Sequence, residues 1–200
     1  MYDAIGPVLL QRWQNFYVMV GSSSAALIGL QFVVLALVTQ LRIRNSPSGI
    51  DAFSTPTIVY FANVLLLAAV VCAPWSGLAG AAVLITLCGA AGTVYTGLVV
   101  RRATRQTDYR LVAEDWLWHI VLPFTAHAML LAAGLTLVQR PVPALFTMAA
   151  AVLVLLFTCI HNAWDTVTYM VINHFHPRRQ DDQGGDPQHL PPPPPPSPAA

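Results

Sequence analysis

The chain contains no lysine, and charged residues of either sign make up only 10% of its 200 positions. A soluble domain carries about 25% charged residues. There is too little charge here to coat a water-facing surface, so a soluble globular protein is excluded and lipid must do the coating. Net charge is +1, and no basic patch with interleaved aromatics appears, so nucleic acid is not an expected partner. The three cysteines, Cys72, Cys88 and Cys159, form no CxxC and fall in different apolar segments. They read as small buried hydrophobes, not as a redox or metal motif. There is no GxSxG elbow, SxxK or HExxH. The serines at Ser22–Ser24 lack a positioned base, so no enzyme is expected and no catalytic residue or cofactor is assigned. The N-terminus has no basic region ahead of its first apolar run, which reads as a retained span.

What is present is apolar: 56% of the residues are hydrophobic, gathered into five long runs. The expected fold is an all-α integral membrane bundle of five transmembrane helices, at about 16–41, 56–73, 77–100, 116–138 and 144–172. Residues 1–15 form a short extracytoplasmic lead-in, 16–174 the membrane domain, and 175–200 a disordered, proline-rich cytoplasmic tail ending in the run Pro191–Pro196. Trp13, Phe16 and Tyr17 mark a membrane interface. Ser54 or Thr55 caps the second helix, with Pro56 in its first turn. Pro123 has no N–H for the carbonyl of His119 and should kink the fourth span.

Small residues recur every fourth position in two spans. Gly21, Ala25 and Gly29 form one row, and Gly89, Thr93 and Gly97 continue a second that starts at Gly77 and Ala81. Such rows let helix backbones approach closely. The expected partners are therefore the lipid bilayer and other membrane helices, from a second copy of the chain or from another membrane protein.

The last span carries the polar stripe. Thr158, His161, Asn162, Asp165, Thr168 and Tyr169 share one helical face. Counted from Pro143 at ~1.5 Å per residue, Asp165 lies roughly 33 Å along, close to a full hydrocarbon thickness of ~30 Å. The fourth and fifth spans are antiparallel through a turn near residue 140, which puts His119 level with His161 and Asp115 level with Asp165. Gln31, Asn63 and Tyr95 fall in the same half of their spans. His127, two turns from His119, reads as a packed, hydrogen-bonded histidine.

Three readings of this polar site compete: an interhelical hydrogen-bond network, an ion- or proton-handling site of a small channel or transporter subunit, and a metal site built from Asp115, His119, His161 and Asp165. Arginine placement sets the orientation. Arg12 and Arg140 fall on one side, and Arg42, Arg44, Arg101, Arg102, Arg105, Arg110, Arg178 and Arg179 on the other. The second set belongs in the cytoplasm, with the N-terminus outside.

The opening Trp13-Gln-Asn-Phe16-Tyr17 with its small-residue patch and Gly29-Leu-Gln-Phe-Val, then Thr55-Pro56-Thr-Ile-Val-Tyr-Phe, and Asn162-Ala163-Trp164-Asp165 in the last span, belong together. Over residues 13–172 they resemble a group of uncharacterised small bacterial multi-pass inner-membrane proteins. The resemblance implies a bacterial inner-membrane location and no particular activity, cofactor or catalytic residue.

Overall fold

A computed structural model describes the backbone of residues 2–40, 47–103 and 116–175, and the side chains of 6–37, 55–101 and 116–168. The described residues are helical apart from short turns. The helices are α1 (Tyr2–Gln40), α2 (Pro47–Cys72), α3 (Leu78–Ala103), α4 (Leu122–Thr136, preceded by a π-helical turn at Leu117–Val121) and α5 (Pro141–Phe175).

Five of these segments are long and apolar enough to cross a membrane: Gly6–Leu37, Thr55–Cys72, Leu78–Arg101, Leu117–Thr136 and Pro141–Thr168. Their outward faces carry Met19, Phe32, Leu87, Val94, Phe124, Leu135, Phe146 and Phe157, all well exposed. A water-soluble monomer does not present apolar surface on this scale. The core lies along α2 and α5, through Tyr60, Phe61, Val64, Leu67, Leu145, Met148, Val152 and Leu155. α1 and α3 lie further out, with most of their span surface uncovered by the rest of the chain.

Several boundaries differ from the sequence reading. Residues 2–15 are not a separate lead-in: α1 is continuous from Tyr2. Pro7 lies inside it, in the second turn, and supplies no N–H for the Asp3 carbonyl. Tyr17, expected to mark a membrane interface, has its ring fully buried in the bundle, beside Trp13 and Phe16. α2 begins at Pro47, so Pro56 lies inside the helix and neither Ser54 nor Thr55 is its cap. A proline at the first helical position is already pre-set for the helix. The tail beyond Phe175 and the loop residues 41–46 and 104–115, with Arg42, Arg44, Arg105, Arg110, Arg178 and Arg179, lie outside the described residues.

Turn chemistry joins the helices. The Trp75 indole N–H donates to the Val70 carbonyl at 2.6 Å, closing the C-terminal end of α2. α4 and α5 are joined by a tight turn in which the Arg140 amide reaches the Thr136 carbonyl at 2.8 Å. This turn sets the antiparallel register on which the polar site depends.

Close approaches rest on particular small residues. A Cβ on Gly21 would fall 2.7 Å from the Ala68 Cβ, so α1 and α2 meet there. One turn on, the buried Ser24 hydroxyl donates to the Phe61 carbonyl at 2.7 Å. Gly89 seats α3 on the backbone of Leu130 and Leu131, and Gly134 answers from α4, where a Cβ would lie 2.6 Å from the Thr86 amide nitrogen. Thr93, half buried, folds back to the Gly89 carbonyl at 2.8 Å. Ala81 of the same row is fully buried, whereas Ala25 is exposed, and Gly29, Gly77 and Gly97 have nothing within 4 Å of an added Cβ.

Candidate polar site at the end of the last helix

The stripe on α5 straddles the edge of that helix's buried face. Thr158 and Asn162 are almost fully buried. His161 and Asp165 are partly open, with side chains 26% and 49% exposed. His161 Nε2 lies 2.9 Å from Asp165 Oδ2. The approach is off-axis, so Nε2 has no hydrogen-bond partner among the described residues despite the distance. Between groups this open, such a contact is worth under about 1 kcal/mol.

Across from α5 stands the π-turn. The Trp118 ring stacks on the His161 ring with centroids 3.8 Å apart and planes inclined by 19°. The Asn162 side-chain amide donates to the Trp118 carbonyl at 3.4 Å. Chain chemistry explains why that carbonyl is free to accept. The Leu122 amide, which in an α-helix would serve Trp118, instead bonds the carbonyl of Leu117. The next donor along is Pro123, which has no N–H. Where a kink was expected at Pro123 the helix carries a π-turn, and the orphan carbonyl it leaves is met from α5.

The counted register holds in depth, since Asn162 and Trp118 are equidistant from the α4–α5 turn. The facing residue is Trp118, where His119 was expected opposite His161. The extra residue in the π-turn is the reason. His119 is half buried and has its own partners. Asp115 lies outside the described residues. Among the described residues no three of His, Cys, Asp or Glu converge as a metal-ligand set. Gln31 reaches the same end from α1, lining a shallow cleft with Ile58 of α2 and Ala163, Thr166 and Val167 of α5. Asn63 is half buried on α2, one turn beyond Tyr60.

A second buried polar group lies near mid-span. His127 is fully buried, and its Nδ1 donates to the Pro123 carbonyl at 2.7 Å. That assigns the proton to Nδ1 and leaves Nε2 without a partner among the described residues, against Gly92. The Tyr60 ring leans on His127 at 5.3 Å. Its hydroxyl lies 3.3 Å from Thr96 Oγ1, whose own hydrogen goes to the Gly92 carbonyl at 2.9 Å, so Tyr60 is the donor. His127 is the packed, hydrogen-bonded histidine expected from the sequence. Gly92 escaped the sequence reading because it falls off the four-residue row. The signal for it was only that a ring as large as imidazole, deep in a span, needs a gap on the facing helix.

Two buried oxygens in the α5 stripe, Thr158 Oγ1 and Asn162 Oδ1, have no hydrogen-bond partner among the described residues. Unpaired polar atoms are costly in an apolar interior. They sit one helical turn apart, with the His161–Asp165 contact about one turn further along. No family model, curated protein or solved structure matches the chain.

Proposed function

We propose that this is a multi-pass protein of a bacterial inner membrane that works by packing against other membrane helices. Its N-terminus lies outside and its proline-rich tail in the cytoplasm. The supporting observation is on α1, where Ser22, Ala25, Ala26 and Gly29 are all exposed. Gly21 and Ser24, on the adjoining face, are taken up by α2. A small-residue face left open to lipid is what a second helix needs for close backbone contact. The arginine distribution supports the orientation, and the sequence resemblance supports the inner membrane.

The test is oxidative crosslinking in native membranes of single-cysteine variants, with Cys72, Cys88 and Cys159 replaced by alanine. Gly29→Cys should form a disulfide-linked dimer or a defined heavier adduct, and Leu87→Cys, among large apolar residues on α3, should not. Equal behaviour of the two positions would count against the reading.

One observation favours a second reading, a small channel or transporter subunit for ions or protons. It is the pair of unpartnered buried oxygens on Thr158 and Asn162 beside His161 and Asp165. Ionisable groups within membrane spans mark ion pathways. Purified protein in vesicles should then dissipate a pH gradient, and His161→Leu should abolish the leak.

A further inference from the structure

The π-turn at Leu117–Val121 adds one residue to the helix just where the chain meets His161. An added residue displaces everything before it by one position relative to α4, which the turn at residues 137–140 and the contacts of Gly89 and Gly134 hold in place. In the π form the place opposite His161 belongs to Trp118. With the same residues wound as continuous α-helix, counting back from α4 reaches that place one residue sooner, at His119. One residue is a rotation of about 100° around a helix of 3.6 residues per turn. A ring that stacks and a ring that can exchange a proton are thus adjacent in sequence and compete for one position.

We infer that the π-turn is a two-position selector that presents either Trp118 or His119 to His161. This goes beyond the packing reading and does not depend on it. Each position has identifiable support. In the π form the carbonyl that Pro123 leaves without a donor is that of Trp118, which the Asn162 amide holds, and the indole covers the imidazole. In the α form the Leu122 amide returns to the Trp118 carbonyl and Asn162 is released, while the carbonyl of His119 loses its donor to the ring of Pro123. Pro123 therefore biases the selector toward Trp118. The Asn162 clasp is long at 3.4 Å, and the other end of the same amide has no partner, so the latch on the π form is a weak one. π-turns within α-helices occur frequently at functional sites. A device of this kind opens and closes the face of His161 without moving α4 or α5.

The groups that face His161 are Asp165 on its own helix and Trp118 on the turn. Exchange of Trp118 for His119 leaves His161 between a carboxylate and a second imidazole, an arrangement suited to passing a proton.

Paired cysteines test this, again with the three native cysteines replaced by alanine. In the parent sequence the pair at positions 118 and 161 should crosslink at least severalfold faster than the pair at 119 and 161. Pro123→Ala removes the bias and should reverse that order. Deleting Val121 takes out the extra residue, so the turn becomes α-helical with Trp118 still in place, and the parent order should survive. A Pro123→Ala variant that keeps the parent order overturns the selector, as does a Val121 deletion that reverses it. Trp118→Leu with His161 intact gives a readout free of cysteines. The His161 ring protons should move downfield on loss of the indole ring current, and Pro123→Ala should produce the same change.

Discussion

Asn162 and Asp165 lie on the same stripe yet differ in what they hold. Asp165 is half exposed and reaches His161 off-axis. Asp165→Asn should therefore shift the thermal midpoint in detergent by no more than about 2 °C, since an open pair contributes under about 1 kcal/mol. Asn162 is buried and supplies the one hydrogen bond the Trp118 carbonyl can find from α5. Asn162→Leu should lower the midpoint by about 2–4 °C, corresponding to about 1 kcal/mol for an interhelical bond. A larger loss for Asp165→Asn than for Asn162→Leu would reverse this ranking. The stripe itself was legible, because polar residues at helical spacing stand out in an apolar span. The partner of His161 was not, because the π-turn offsets the count by one residue and nothing in hydropathy distinguishes Trp118 from His119 as the facing ring.

Among the helices, the closest meetings depend on where a side chain is missing. Gly92 gives room to His127, whose ring occupies the volume a Cβ would take. Gly92→Ala must push that imidazole off its bond to Pro123, and overpacking of this sort costs about 1–3 kcal/mol. Gly97 lies one turn further along α3 with open space around it. Gly97→Ala should be neutral or stabilising by up to about 1 kcal/mol, since alanine holds a helix better than glycine. Denaturation of the two variants side by side checks both signs. A row of small residues indicates that close packing is possible; which members are used depends on helix rotation. Gly21 and Gly89 were used while Ala25, Gly29 and Gly97 were not, because α2 and α4 each cover only one side of their neighbour. Helix ends were the least legible part. Pro47 and Tyr2 start their helices well before the apolar runs begin, and hydropathy does not register a helix that continues past its apolar segment.

For the molecule as a whole, low charge and five apolar runs were enough to anticipate an all-helical chain with five segments able to cross a membrane. In the proposed topology five crossings would put the two ends on opposite sides, with the arginine-rich side in the cytoplasm. That is the central claim, because the depth of the polar site and the side from which His161 is reached both follow from it. The direct measurement is labelling of single cysteines by a membrane-impermeant maleimide in cells with a permeabilised outer membrane, in the background free of native cysteines. Asp3→Cys should label while the inner membrane is intact, and Gly185→Cys only after that membrane is broken. Labelling of both positions under the same condition would mean an even number of crossings and would contradict the account. Labelling in the opposite order would keep five crossings but place His161 at the outer face.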